Sequence, residues 1–198
     1  MKPALVALIL AVTVIMLPIA VPVLSVENYL RYQSKLPFSV PASEKGHLRA
    51  RLSHRNAWEF GWEEMTAAMA RLCYSPRPED CAKAAIFGKN FGEAGAIDRL
   101  GPKCGLPKAI GNHQSYWLWG PRDYSGELLI IFGRDRPPRS AQRSREVTVA
   151  AALYIPYTNP WENGPVLPGR GLKRPLKPMW PMIKQWDQKF LAESKLRG

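Results

Sequence analysis

The chain is poor in the residues that build metal centres. It has three cysteines, Cys73, Cys81 and Cys104, and three scattered histidines, His47, His54 and His113, with no Cys-x-x-Cys or His-x-x-x-His spacing. Structural zinc draws four soft ligands from such paired spacings, so no metal site is expected. Gly88-Lys89-Asn90-Phe91-Gly92 lacks the Gly-Lys-Ser/Thr ending that cradles nucleotide phosphates, and no Ser-His-Asp order can be defended. Glu63 and Glu64 are adjacent carboxylates, but helix neighbours point about 100° apart, whereas a glycosidase acid and base flank one bond from opposite sides. They read as a solvated helix start. No catalytic residue and no cofactor are assigned.

Acidic residues are also scarce: 16 Asp and Glu stand against 28 Lys and Arg, for a net charge of +12. Between positions 134 and 198 the balance is 13 basic to 5 acidic, so most of the excess lies late in the chain. Arg134, Arg136, Arg139, Arg143 and Arg145 share a Pro- and Ser-containing loop suited to anionic headgroups or nucleic acid. Without a nucleic-acid motif it reads as a solvated loop near a membrane surface, and no nucleic-acid partner is expected.

Charge is absent from Pro3 to Ser25, where the chain is almost wholly apolar. About 20 such residues suffice to cross a bilayer as a helix, and Pro18 and Pro22 would kink or shorten its far end. A cleaved signal peptide would want a shorter apolar core and small residues before the cut, which Pro22-Val23-Leu24-Ser25 does not supply. The segment is therefore expected to be a retained transmembrane helix over 1–26. Arg31, Lys35 and Lys45 beyond it would, by the positive-inside rule alone, keep the rest cytoplasmic. In an oxidising compartment Cys73 and Cys81 would bridge, leaving Cys104 free; otherwise all three are thiols.

Residues 27–57 read as a juxtamembrane helix capped by Ser25, with Tyr29, Leu30 and Tyr32 near the headgroups, followed by a linker. Residues 58–198 read as a soluble α/β domain. A helix opened by Glu63 and Glu64 carries Trp62, Met65, Met69 and Leu72 on one face. Ala84–Gly88 is an apolar run of buried-strand type, and small residues follow from Gly92 to a stop at Gly101-Pro102. A strand running into such a helix is half of a β-α-β unit, its amides aimed beyond the strand end.

The stretch from Gly111 to Pro121 then packs amide, imidazole, hydroxyl and aromatic groups between glycines. These suit sugar hydroxyls and the apolar face of a pyranose; the plainer reading is core or hinge packing. Glu127–Gly133 and Glu146–Tyr154 read as strands of one sheet, Val166-Leu167 as a short edge strand, and Leu176–Trp186 as a closing helix. The expected fold class is α/β: one N-terminal transmembrane helix, then a small α/β sandwich with a short, mostly parallel or mixed sheet.

Lys83–Phe87, Asn90–Ile97, Gly105-Leu106-Pro107 and His113-Gln114 through Tyr116–Pro121 resemble the soluble C-terminal part of bacterial multi-spanning glycosyltransferases of the dolichyl-phosphate-mannose protein mannosyltransferase-like group. The similarity runs from the apolar helix, which matches the last membrane span, to Pro175-Leu176 and Trp180. Members of that group take a sugar from a polyprenyl-phosphate donor, using acidic residues in loops between early membrane helices that have no counterpart here. No catalytic residue carries over, so the chain is not expected to be a competent transferase by itself. The resemblance implies a soluble part outside the cytoplasm, at a bacterial inner membrane, with a multi-span glycosyltransferase core and lipid-linked sugar as partners. It overrides the charge argument, because the last span of a multi-helix protein need not orient itself.

Two roles are left: an accessory or acceptor-recognition domain of such an enzyme, or a free-standing membrane-anchored α/β binding protein. The candidate glycan- or ligand-binding residues are Asn90, Glu93, His113, Gln114, Trp117 and Trp119.

Overall fold

The computed structural model describes residues 2–39, 50–75, 78–132, 144–148 and 150–185. They form two compact units, one of Met1–Phe60 with Tyr157–Pro160 and one of Gly61–Pro156 with Trp161–Gly198. Four residues of the late loop, Tyr157–Pro160, thus belong to the first unit. The expected linker positions 42–49, the basic stretch 134–143 and Trp186 lie outside the described residues.

In the first unit, α1 (Lys2–Ala20) keeps Leu5, Leu8, Leu10 and Val14 exposed along its length. Among the described residues its Pro3–Ala20 segment is the one helix long and apolar enough to cross a membrane. It holds Pro18 within it and stops short of Pro22, which cannot donate the next backbone bond. The Ser25 hydroxyl accepts from the Asn28 amide at 3.4 Å and starts α2 (Val26–Ser34) as expected. The Tyr32 hydroxyl donates to the Ile15 carbonyl and Arg55, in α3 (His54–Ala57), donates to the Ala20 carbonyl at 3.3 Å. Tyr29, Leu52 and Ala57 form a small core with Leu30, Phe60 and Tyr157 around them.

In the second unit, Gly61 at φ +96° turns the chain into α4 (Trp62–Tyr74), whose Met65, Met69 and Cys73 are buried. After α5 (Pro78–Cys81), a Cys73–Cys81 disulfide with Cα atoms 5.0 Å apart ties the two helices, leaving Cys104 an exposed free cysteine. Then come β1 (Ala85–Gly88), α6 (Phe91–Leu100), β2 (Ala109–Gly111), α7 (Gln114–Leu118), β3 (Leu128–Phe132), β4 (Ser144–Val147), β5 (Ala151–Leu153), β6 (Gly164–Leu172) and α8 (Leu176–Met179). The strands make one mixed sheet in the order β2-β1-β3-β6-β4, with β5 also on β6. β1 pairs in parallel with β2 and β3, while β6 runs antiparallel to β3, β4 and β5.

Alternation along the strands divides the core between two faces. Ile86, Leu128, Ile130, Phe132 and Val166 share one cluster with α4 and α6 residues, and Ala85, Phe87, Ile110, Leu129, Ile131 and Leu167 share the other with Leu176 and Trp180. Each of the Ile, Leu, Val and Phe side chains among them stabilises the fold by roughly 1.5–3 kcal/mol when taken from water.

Three expectations are corrected. Val166-Leu167 is not a short edge strand but the centre of the nine-residue β6, which lies between β3 and β4. The closing helix ends at Met179 and continues as a 3-10 turn, Trp180–Ile183, because Pro181 cannot donate into an α-helical ladder. The stretch Glu146–Tyr154 is not one strand but is divided between β4 and β5, both in the expected sheet with β3 and both paired with β6.

Candidate functional site

The parallel strands β1 and β2 end side by side at Gly88 and Gly111, which are paired in register. Such carboxyl ends are where α/β proteins hold ligands. A Cβ on Gly88 would lie 2.6 Å from the Ala94 backbone nitrogen, so only glycine lets α6 start directly over the strand end. Here the turn presents Lys89, Asn90 and Phe91 beside Asn112 and His113.

Asn90 caps α6. Its Oδ1 accepts from the Glu93 amide at 2.8 Å, and its Nδ2 donates to Glu162 Oε1 at 3.1 Å, from a residue 72 positions later. Glu93 turns back onto the same turn, where Oε2 accepts from the Lys89 amide at 2.6 Å and Oε1 lies 3.5 Å from the Lys89 ammonium. Glu93 and Glu162 are only 1% and 4% exposed, and Asn90 holds both, the Glu93 amide on its Oδ1 and the Glu162 carboxyl on its Nδ2. The acidic group at this helix start is thus the protein's own: Glu93 is buried, while Asn90 is half-buried and uses its amide on Glu93 and Glu162.

Burial pushes the Glu162 carboxyl up to about 8, and the charge and hydrogen bond of Glu93 push the same way; Lys89 and the Asn90 amide oppose. Glu162 Oε2 is buried and, if no proton is counted on it, has no donor.

The surface left open lies next door. Phe91 is 51% exposed, and the His113 ring stacks on it with centroids 5.6 Å apart and planes at 26°. Asn112 Nδ2 donates to Gln185 Oε1 at 3.2 Å, but Asn112 Oδ1 and His113 Nδ1 are buried without a partner. Gln114 follows at φ +48°, a left-handed backbone unusual for a side chain other than glycine and recurrent at ligand sites.

The two candidate tryptophans part company. Trp117 is packed with the second core face: its Nε1 donates to the Trp180 carbonyl at 3.1 Å, and the Lys184 ammonium lies 4.3 Å from its ring centre. Trp119 is 59% exposed and meets Tyr116 edge-on at 4.8 Å. Tyr116 itself anchors α7 by donating to Asp98 Oδ2 at 3.1 Å. Burial first, then Asp98, pushes the Tyr116 phenol up to about 12.

His113 and Gln114 therefore share one open surface, Asn90 and Glu93 lie beneath its neighbouring turn, and Trp117 is committed to packing. Sequence reasoning passed over Phe91, Asn112 and Glu162. Asn112 stood within the polar aromatic stretch, whereas nothing local to Glu162 points 72 residues back to Asn90. Among the described residues no cluster of three or more His, Cys, Asp or Glu could hold a metal ion. No protein-family model, curated protein or solved structure matches the chain.

Proposed function

We propose that this chain is a membrane-anchored, extracytoplasmic accessory domain of a polyprenyl-phosphate-sugar-dependent glycosyltransferase, contributing glycan or acceptor recognition while chemistry is done by a multi-span partner. The observation that carries the recognition role is the pair of buried, unpartnered atoms Asn112 Oδ1 and His113 Nδ1 beside the exposed Phe91 ring. Sugar hydroxyls supply donors for such atoms, and a pyranose face suits the ring.

Retention of α1 is supported by the bonds that Tyr32 and Arg55 make to its carbonyls, which a cleaved segment would forfeit. The Cys73–Cys81 bridge favours an oxidising compartment and so an extracytoplasmic domain. The resemblance of the strand-to-aromatic stretch to the soluble part of the mannosyltransferase-like group supplies the enzyme class.

The test is isothermal titration of the full chain in detergent with a polyprenyl-phosphate hexose and with the corresponding free oligosaccharide. Phe91→Ala and His113→Ala should each weaken binding about tenfold or more with little change in melting temperature, since Phe91 is exposed and His113 Nδ1 is unpaired. Unchanged affinity in both variants rejects this surface as the site. Cross-linking in membranes then tests the partner: a co-purifying multi-span protein supports the accessory role, and its absence favours a free-standing binding protein.

A further inference from the structure

Two carboxyl-bearing residues are buried on either side of the Asn90 side chain in the second unit, and the partners of their carboxyl groups differ in kind. Both oxygens of Glu93 face Lys89: Oε2 takes the backbone N–H, and Oε1 faces the ammonium at 3.5 Å. That ammonium is also 5.1 Å from the centre of the Phe132 ring. Glu162 has one oxygen on the Asn90 amide and the other, Oε2, with no donor in reach. Two ionised carboxylates, one of them 4% and the other 1% exposed, would repel in a site of low polarity with a single lysine to balance them.

We infer that Glu93 and Glu162 share one proton, carried on Glu162 Oε2 and donated to Glu93, and that this proton fastens the segment bearing Glu162 to the β1–α6 turn. The proton comes from solvent on folding. It satisfies the oxygen that is otherwise orphaned, while both Glu93 oxygens already face Lys89. Among the described residues, the charged and titratable groups facing the pair are these two carboxyls and Lys89; His113, in the turn after β2, packs on Phe91.

The fastening reaches beyond one bond. Asn163, next to Glu162, closes the loop behind it by accepting from the Ile155 amide at 2.6 Å and donating to the Ile155 carbonyl at 3.2 Å. Removing the proton therefore loosens the Asn90 cap and the stem of this loop together. The upward displacement of the Glu162 carboxyl sets the sign. Between pH 4.5 and about 8 the folded state holds a proton that the unfolded chain has lost, so stability falls as pH rises across that window and levels off above it.

Hydrogen exchange of the full chain in detergent, followed by mass spectrometry across this window, tests the inference. After correction for intrinsic exchange, protection of the Lys89–Glu93 amides in the native sequence should fall by up to about tenfold per pH unit. Glu162→Gln reproduces the protonated form, its oxygen facing Asn90 and its amide facing Glu93, and should flatten that dependence. Glu93→Gln gives Glu162 a donor and should move the transition to lower pH. Infrared spectroscopy of the unmutated chain at neutral pH should show a protonated-carboxyl C=O band, which serves if a variant fails to fold. Equal pH dependence in the native chain and Glu162→Gln, or no such band, overturns the shared proton.

Discussion

Trp117 and Trp180 bond each other twice: each indole Nε1 donates to the other's backbone carbonyl, at 3.1 Å from Trp117 and 2.8 Å from Trp180. The reciprocal pair joins α7 to the turn after α8. Trp117→Phe and Trp180→Phe should each cost about 1–3 kcal/mol, the penalty of leaving a sheltered carbonyl unpaired. The double variant should cost less than the sum, because either change also disturbs the other bond's geometry. Urea unfolding of the full chain in detergent measures all three. Ligand affinity, by contrast, should follow Phe91 and His113 rather than Trp117.

The two glycines near the start of α6 should respond oppositely to the same substitution. Gly88→Ala places a methyl group 2.6 Å from the Ala94 nitrogen and 2.8 Å from its Cα, both backbone atoms that cannot swing away. It should destabilise by about 1–3 kcal/mol or more. Gly95 lies inside α6 with nothing within 4 Å of the place a Cβ would take, so Gly95→Ala should stabilise by about 0.5–1 kcal/mol. Thermal melts that ranked the two alike would contradict the close approach at the strand end.

Asp98 takes the Ala109 amide at 2.7 Å on Oδ1 and the Tyr116 hydroxyl at 3.1 Å on Oδ2. Asp98→Asn should lower the Tyr116 ionisation midpoint from about 12, observed by phenolate absorbance, while burial keeps it above 10.0. In the native chain the fold should lose stability as pH climbs from 10.0 to about 12, because the folded state retains a phenol proton that the unfolded state releases. Asp98→Ala should cost about 1–3 kcal/mol through the orphaned Ala109 amide.

Reducing the Cys73–Cys81 bridge frees a short loop, for which the chain-entropy relation gives about 2–3 kcal/mol of lost stability. Denaturant midpoints with and without reductant, or for a Cys73→Ser and Cys81→Ser double variant, should show that loss. Alkylation of the native chain should modify Cys104, and three cysteines after reduction and unfolding.

What could be read from the sequence follows from how local the signal was. Ala84–Gly88, Gly92–Leu100 and Glu127–Gly133 were legible within a residue or two, because each is a single apolar or small-residue pattern with a glycine stop. β6 hid behind Pro165, Pro168, Gly169 and Gly171, which weaken strand propensity; its pairing is imposed by β3 on one side and β4 with β5 on the other. β2 has three residues, too few for any periodicity. At the site, the contacts of Asn90 and His113 with Glu162 and Phe91 were not legible, because they arrive through tertiary packing.

The outer margin of β2 is occupied by the chain's own side chains. Asp98 takes the Ala109 N–H, Arg122 Nε donates to the Ala109 carbonyl at 3.1 Å, and Tyr124 donates to the Lys108 carbonyl at 2.8 Å. A little further along, the Gln185 backbone N–H donates to the Asn112 carbonyl at 2.8 Å. A strand from another copy that approached this margin would find these ladder positions filled, which makes β2 a poor template for edge-to-edge aggregation.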